Sequence, residues 1–333
     1  MFCHPSTAAL RTTVMSQGDS LNRKKFVVTG ASGLIGTSLV DHLRSGGADV
    51  VRLVRREAKY SDEARWDPYE GTIDDGALEG ADAVIHLSGA GIGDGRWTSN
   101  RKQVLHDSRI VTTRTIAEHI SQMDNPPEVL VSQSAIGIYG SRGDEMLTEE
   151  SSWGPDDDFL ASLTADWEGA ADPARQAGTR VVHPRTGLVL ARQADLINRL
   201  LPIFKAGLGG PIGDGSQWWS WVTLRDVVGA LAFMAESSVD GPVNLVAPEP
   251  VTQGEFADAL ADALGRPSVV PVPKFAMKLA LGAEKARGIG LSSTRASSQK
   301  LQDAGYEFLD VDIRRALEEM LEDQISRPDP VRG

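Results

Sequence analysis

The chain has 333 residues and is acidic, with 46 Asp and Glu against 34 Lys and Arg and a formal net charge of −12. Because nucleic-acid surfaces need clustered Lys and Arg to displace counterions, this balance argues against a nucleic-acid partner. No stretch approaches the roughly 18 uninterrupted apolar residues of a membrane span, so no membrane partner is expected. The single cysteine, Cys3, excludes an intramolecular disulfide and a multi-cysteine metal site, so we expect a cytoplasmic location and no metal.

The two ends of the chain lack the patterning of folded segments. Residues 1–22 are rich in Ser and Thr, show no hydrophobic periodicity and lack the apolar region of a secretory signal, so we expect a disordered extension. A transit peptide is the alternative, since residues 1–18 hold no acidic side chain, although they hold only one arginine. Residues 326–333 are expected to form a C-terminal tail.

Regular patterning begins at Lys24, where short β-branched strands start to alternate with helical repeats of apolar residues. This alternation predicts an α/β fold with a parallel, doubly wound sheet, helices on both faces, and ligands beyond the carboxyl ends of the strands. The predicted strands cover 26–28, 49–54, 83–87, 128–132 and 179–182, and the predicted helices cover about 34–43, 101–123, a long stretch after Ala161, 251–265 and about 311–321.

A glycine-rich turn, Thr29–Gly36, joins the first predicted strand to the first predicted helix. Gly30 allows the tight turn, Gly33 lets the backbone approach a pyrophosphate, and Gly36 lets helix and strand pack closely. The helix N-terminus adds N–H donors and a partial positive charge. Three glycines also form ordinary turns, but their position between strand and helix favours a dinucleotide site. Its predicted cofactor contacts are Gly30, Ser32, Gly33, Leu34 and Ile35.

The end of the second predicted strand distinguishes between cofactors. NAD-specific domains place an Asp or Glu about 20 residues beyond the glycines to hold the ribose 2′-hydroxyl. This chain has Arg55 and Arg56 there, and arginine suits a 2′-phosphate. A solvated basic pair at a strand end is the alternative. The sequence therefore favours NADP(H) over NAD.

Small residues follow the third predicted strand in the segment His86–Gly91. Because they lack bulk, the backbone at Leu87, Ser88 and Gly89 can lie against the cofactor, and these three residues are predicted contacts. His86 lies inside the apolar run, where a lone histidine is more often a hydrogen-bonded packing residue than a catalyst.

With these segments the chain resembles the extended short-chain dehydrogenases/reductases, the superfamily of NAD-dependent sugar-nucleotide epimerases and dehydratases. It most resembles an atypical, epimerase-like branch whose members are often labelled nucleotide-sugar epimerases or cell-division-inhibitor homologues. The resemblance runs from about Lys24 to Leu321. The segments typical of the branch are Thr29–Gly36, His86–Gly91, Arg96-Trp97, Ser108-Arg109, Ser134–Gly140, Asp166–Glu168 and, most specific, Leu208–Trp221.

The resemblance implies two domains with the active site between them. A Rossmann domain would cover residues 23–190 with about 222–247. A smaller α/β substrate region would cover about 191–221 and 248–325. The resemblance also implies that the strand before Pro184–Val189 passes under the nicotinamide, so that the backbone of this segment can contact the cofactor. The further cofactor contacts implied in this way are Ser108, Ser132, Gln133, Arg185, Gly187 and Leu188.

The catalytic pair of that superfamily is missing. Its working members use a Tyr as general acid/base and a Lys four residues later that lowers the pKa of the Tyr. The helix that should hold this pair, Phe159–Glu168, contains neither residue. Alignment on Glu168 puts Leu160 and Thr164 at the two positions, and neither side chain can do the same chemistry.

Ser134 lies near the superfamily's catalytic serine, although counted back from Tyr139 it is one residue early. It is the one candidate catalytic residue. A strand-end serine that caps backbone groups is the alternative. Tyr139 belongs to a turn in which the superfamily usually uses a tyrosine for packing.

The segment Leu208–Trp221 has four glycines and three tryptophans, which favours a binding loop over regular structure. Gln217, Trp218 and Trp221 are the predicted substrate contacts, and a flat or sugar-like ligand is the hypothesis. Packing is the alternative role for the tryptophans.

Two functions stay open at this point. The first is an NADP-dependent oxidoreductase or epimerase acting on a nucleotide-sugar-like or small carbonyl substrate. The second is a non-catalytic NADP-binding protein with a regulatory or redox-sensing role, which the missing Tyr and Lys favour. The resemblance also implies that a homodimer would form through the helices 101–123 and 159–176.

Overall fold

The computed structural model describes Leu21, residues 23–268 and residues 270–326. The extension predicted over residues 1–22 lies outside these ranges except for Leu21. That residue is a correction, because its side chain is 3% exposed and packs beside Gly46 in the first core. The C-terminal tail lies outside the described residues apart from Ser326, which ends the last helix.

The predicted parallel sheet forms the centre of the fold. Its strands are β1 (Lys25–Thr29), β2 (Asp49–Val54), β3 (Glu63–Asp67), β4 (Thr72–Ile73), β5 (Ala83–His86), β6 (Val129–Ser132), β7 (Ser134–Ala135), β9 (Arg180–Thr186) and β13 (Gly241–Leu245). Their order across the sheet is β13-β9-β6-β5-β1-β2-β3-β4; only the β3–β4 pair among these is antiparallel, and β7 pairs with β9 on the same side as β6. The carboxyl ends of β1, β5 and β6 therefore meet at one edge.

Helices cover both faces of this sheet, as the sequence predicts. The helices of this domain are α1 (Leu34–Ser45), α2 (Ser99–Ser121), α3 (Phe159–Gly169), α4 (Asp172–Gln176) and α6 (Leu224–Glu236). One face of the sheet packs against α1 and α6 in a core that includes Leu39 and Leu231, and the other packs against α2 and α4 in a core that includes Ile116 and Ala174. Alternate residues of β1 point into the two cores, with Val28 in the first core and Val27 in the second.

A separate hydrophobic core lies in the C-terminal part of the chain and includes Ile197, Phe256 and Leu317. The predicted helix start at Thr252 is confirmed by a capping box in which Thr252 and Glu255 bond each other's backbone N–H. The remaining elements are β8 (Met146–Leu147), β10 (Leu188–Leu190), α5 (Asp195–Lys205), β11 (Trp218–Trp219), β12 (Trp221–Thr223), β14 (Val251–Thr252), α7 (Gln253–Ala263), α8 (Lys274–Leu281), α9 (Ala283–Lys285), a π-turn at Ala286–Gly290, β15 (Arg295–Ala296), α10 (Gln299–Asp303) and α11 (Ile313–Ser326).

The Leu208–Trp221 segment is more regular than predicted at its end. Trp218 and Trp219 form β11, which pairs antiparallel with β14, and Trp221 begins β12, which pairs with β10. In the ranges described, no helix is both long and apolar enough to cross a membrane.

Candidate cofactor and substrate site

The glycine loop between β1 and α1 has the geometry of a phosphate cradle. Gly30 has φ +66°, which favours glycine, and a Cβ there would lie 2.8 Å from the backbone carbon of Leu87. A Cβ at Gly36 would lie 2.2 Å from the Gly30 carbonyl oxygen. Both glycines are therefore required by close backbone approach, which is the role that the sequence predicts for such a loop.

The N-terminus of α1 is open to an anion. Gly33 is its N-cap, no described side chain caps it, and its first turn holds no acidic residue. Ser32 and Gly33 are exposed, while Leu34 and Ile35 are half-buried. Among the residues that the structure describes, the first N–H groups of the helix thus have no acceptor, and a pyrophosphate suits this arrangement.

The two arginines after β2 differ in their surroundings. Arg56 donates two hydrogen bonds, of 2.8 and 2.6 Å, to the carboxylate of Glu63 on β3. These bonds, with one from the Lys59 backbone, lower the pKa of Glu63 to about 2. Arg55 is exposed and makes no hydrogen bond or ion pair within the described part of the chain. Arg55 is therefore available to a 2′-phosphate, whereas Arg56 is shared with Glu63.

The segment after β5 lies directly against the glycine loop. Ser88 is half-buried and Gly89 is exposed there. The hydroxyl of Ser108 accepts the Ala90 N–H at 3.0 Å, so it holds the loop in place. His86 is fully buried and bonded through both ring nitrogens, to Thr29 and to Thr112. Burial lowers its pKa to about 3, so it stays neutral and has the packing role expected of it.

Two buried polar atoms at the carboxyl end of β6 lack hydrogen-bond partners within the described residues: Ser132 Oγ and Gln133 Oε1. The Gln133 amide nitrogen donates to Thr186 Oγ1 at 2.6 Å. Unsatisfied buried polar atoms are costly, and here they lie at the sheet edge where the predicted cofactor would pass.

The predicted contacts after β9 are engaged within the protein. The Gly187 N–H donates to the Leu245 carbonyl and the Leu188 N–H to the Ser220 carbonyl. A cofactor contact of these two residues therefore cannot use their N–H groups. Arg185 needs a further correction, because its guanidinium is 2% exposed and lies in a buried network described next.

Ser134, the candidate catalytic residue, is part of that network. Its Oγ donates to Glu168 Oε1 at 2.6 Å, and Arg185 forms two bonds of 2.9 Å with the same carboxylate. Arg185 also donates to the Tyr139 hydroxyl, which donates to Asn244 Oδ1. The partner of the Ser134 hydroxyl is therefore Glu168 and not a backbone group. Ser134 itself is 1% exposed.

The charge state of Glu168 follows from its partners. Burial raises the pKa of this carboxyl, but hydrogen bonds from Arg185 and Ser134 and the nearby His183 bring the pKa below its ordinary value. Glu168 is thus a carboxylate at neutral pH. With its proton directed to this carboxylate, Ser134 presents only lone pairs to any other group.

In helix α3, the two positions that hold the catalytic Tyr and Lys in the superfamily are occupied by Leu160 and Thr164, and neither replaces the missing chemistry. Thr164 is 4% exposed and its hydroxyl donates to the Leu160 carbonyl at 2.7 Å. Leu160 lies beside Gly137 and Gly288. The two positions therefore form a packed, apolar surface.

The predicted substrate residues divide between a cavity and a core. Gln217 lines a cavity of about 360 Å³, together with Asp144, Lys274 and Ser293. Trp218 is half-buried, its Nε1 donates to Asp144, and Arg295 stacks over its ring at 4.2 Å.

Trp221 has a packing role instead of the predicted substrate contact. Its side chain is fully buried in the C-terminal core and its Nε1 donates to the Glu249 carbonyl. The packing alternative is therefore correct for this tryptophan.

Two residues of the site were not assigned a role from the sequence. Glu168 served only to align α3, because its partners Ser134 and Arg185 are 34 and 17 residues away and nothing local indicates the contact. Arg109 belongs to a segment typical of the branch, and the structure places its guanidinium next to Gly89.

A dinucleotide-type loop on a doubly wound sheet, with a second core beside it, defines a Rossmann-type protein of the dehydrogenase and epimerase class. A family model described as "NAD dependent epimerase/dehydratase family" matches residues 26–246, and one described as "Domain of unknown function (DUF1731)" matches residues 272–320. The chain belongs to the NAD-dependent epimerase/dehydratase family, which confirms the membership predicted from its residues.

Three relatives illustrate the likeness. An epimerase family protein of Mycobacterium leprae is 40% identical over 298 residues, covering 89% of this chain and 95% of its own. The structure of the human epimerase family protein SDR39U1 with NADPH has a TM-score of 0.81 at 30% identity, over 90% of this chain and 99% of its own. A nucleoside-diphosphate sugar epimerase from Corynebacterium glutamicum has a TM-score of 0.72 at 32% identity, over 90% of this chain and 59% of its own.

Proposed function

We propose that the protein is an NADP(H)-binding, epimerase-like oxidoreductase that acts on a nucleotide-sugar-like or small carbonyl substrate. The observation that supports NADP(H) as the cofactor is the glycine-rich loop Thr29–Gly36, the glycine cradle, together with Arg55, which makes no contact that would keep it from a 2′-phosphate. The NADPH in the human relative's structure supports the same choice. The cavity lined by Gln217 and Asp144, and the name of the Corynebacterium relative, support a nucleotide-sugar-like substrate.

When bound, the nicotinamide would accept or donate a hydride at its C4 atom. The chain's own contribution is orientation. Ser134 donates its hydroxyl proton to Glu168 and can accept a hydrogen bond on its Oγ lone pairs, which suits a substrate hydroxyl better than a carbonyl oxygen. Because Ser134 is nearly buried, reaching it requires a local opening of the site.

The cofactor assignment predicts a difference between the two arginines. Arg55→Ala is expected to weaken NADPH binding about tenfold and leave NADH binding unchanged, because a charge-assisted bond to phosphate is lost. Arg56→Ala is expected to weaken NADPH binding and also to lower the melting temperature, since Glu63 loses its partner. Isothermal titration with both nucleotides measures this, with the exposed Arg266→Ala as control. Equal affinity of the wild type for NADH and NADPH would undo the assignment.

A second candidate is a non-catalytic NADP-binding regulator, which the packed surface at Leu160 and Thr164 favours. Absorbance of the nicotinamide, followed across sugar nucleotides, aldehydes and ketones, separates the two. Turnover that falls at least tenfold in Ser134→Ala is expected for the enzyme. Tight NADPH binding without turnover, in both the wild type and Ser134→Ala, would instead favour the role of a non-catalytic regulator.

A further inference from the structure

The cavity of about 360 Å³ is lined by residues from both parts of the chain. Gly143 and Asp144 come from the loop after the Ser134–Gly140 segment, and Ser216 and Gln217 come from the segment rich in glycine and tryptophan. Small-molecule sites occupy roughly 300–1,000 Å³, so this cavity lies at the lower end of that range. Its size suits one ring better than a whole nucleotide sugar.

Three uncharged polar side chains of this lining use their protons inside the protein. The hydroxyl of Ser216 donates to the carboxylate of Asp214 at 2.9 Å, and the hydroxyl of Ser293 donates to a backbone carbonyl at 2.8 Å. The amide nitrogen of Gln217 donates to two backbone carbonyls, at 3.3 and 3.4 Å. A hydroxyl has one proton and an amide nitrogen has two, so these three side chains can only accept further hydrogen bonds.

The charged side chains of the lining add another acceptor and one donor. Asp144 accepts the Trp218 Nε1–H at 2.9 Å, and a carboxylate has no proton to donate. Within the described part of the chain, Lys274 is the one cationic side chain that lines the cavity, and its ammonium lies 3.5 Å from Asp214 Oδ1. The lining side chains thus offer four acceptors and a single donor, whose charge is shared with a carboxylate.

This balance decides which kind of ligand fits. Each hydroxyl of a sugar ring can donate one hydrogen bond, so such a ring can satisfy the four acceptors. A phosphoryl group has only acceptor oxygens at neutral pH, so it would leave them unpaired and would meet the carboxylate of Asp144. Arg295 does not supply the missing donors, because it stacks over the ring of Trp218 and is not a lining residue.

We propose that this cavity binds an unphosphorylated, hydroxyl-rich ring, a free sugar, and rejects nucleoside diphosphates. The inference rests on the proposed function and narrows its substrate class, since it keeps the sugar-like ring and removes the nucleotide. The carboxylate of Asp144 and the amide oxygen of Gln217 accept hydrogen bonds from ring hydroxyls, and Lys274 donates to one ring oxygen.

The test compares free sugars with their phosphate esters by saturation-transfer NMR on the full-length protein, with and without NADPH. The probes are glucose, galactose and N-acetylglucosamine, each with its 1-phosphate and its UDP ester. At least one free sugar is expected to bind, and its two esters are expected to bind at least about tenfold more weakly, because the acceptor-rich lining leaves their phosphoryl oxygens unpaired.

Asp144→Asn tests the acceptor that carries the charge. The asparagine oxygen can still accept from Trp218, but the carboxylate is lost and two N–H donors are added. Binding of the free sugar is expected to weaken about tenfold and binding of its 1-phosphate to strengthen. Asp75→Asn removes the same charge from an exposed position outside the cavity and is expected to bind as the wild type does. The melting temperature shows that each variant folds.

Tighter binding of a 1-phosphate or UDP ester than of its free sugar would overturn the proposal and leave the cofactor assignment intact. So would the absence of binding by all three free sugars, or equal binding of the free sugar by the wild type and Asp144→Asn. Failure of the wild type to bind NADPH would instead refute the proposed function, and the series without NADPH would still decide which ligand the cavity takes.

Discussion

Gly36→Ala is expected to abolish most NADPH binding, with a loss of affinity of at least about a hundredfold, roughly 2.7 kcal/mol. The added Cβ would lie 2.2 Å from the Gly30 carbonyl oxygen and 2.8 Å from the Ala31 Cα. Both are backbone atoms, so no side-chain rotation relieves the contact and the loop itself must move. A shift of about 1 Å is enough to misplace the N–H donors of a phosphate site.

The matched control is Gly169→Ala at the exposed end of α3. A Cβ there meets no atom within 4 Å, and the residue does not have a positive φ. This variant should bind NADPH like the wild type and be more stable by about 0.5 kcal/mol, because alanine favours helix. Circular dichroism shows whether each variant folds, and titration gives the affinity. A folded Gly36→Ala protein within twofold of wild-type affinity would show that the cradle does not hold the cofactor.

The fold and the cradle were predictable because their determinants are local. The apolar period of each element, the turn glycines and the Thr252–Glu255 capping box are all written within short stretches of chain. Membership of the family followed from the same segments. Leu21 was misassigned because a single apolar residue shows no hydrophobic periodicity. Its burial depends on its contact with Gly46, which is distant in the sequence.

The parts of the site that were missed depend on contacts between distant segments. Arg56 was predicted as a phosphate ligand, but which residue of β3 faces it is set by the β2–β3 pairing, which places Glu63 opposite Arg52. Three tryptophans in a glycine-rich segment do not indicate which way each side chain points. In the structure Trp221 is buried in the core, whereas Trp218 is half-buried and bonds Asp144, a residue that lines the cavity. Side-chain direction in such short strands is decided by their partners.

The second large effect is expected from breaking the pair between Glu168 and Arg185. Glu168→Ala leaves the guanidinium of Arg185 buried without its carboxylate, and the expected cost is about 3–5 kcal/mol of unfolding free energy. Arg185→Met should cost a similar amount, since it leaves the carboxylate unpaired apart from the Ser134 hydroxyl. Urea unfolding at pH 7 measures both, with Arg114→Met, at an exposed arginine on α2, as control.

A double variant, Glu168→Ala with Arg185→Met, tests whether the loss arises from an unpaired buried charge. Removing both charges should cost clearly less than the sum of the single variants, since neither partner remains charged and buried. Additive losses would contradict the pairing.

The same pair predicts how stability depends on pH. Because the pKa of Glu168 is lower in the folded protein than its ordinary value of 4.5, folding keeps this carboxyl ionised. Its contribution to stability is therefore complete above that ordinary value and is lost as the pH falls through the lower, folded pKa. The double variant lacks this contribution, so the stability difference between wild type and double variant should shrink as the pH is lowered below about 4.5. A difference that stays constant down to pH 3 would show that Glu168 does not titrate in this way, and the stabilising role of the pair would then have to come from packing alone.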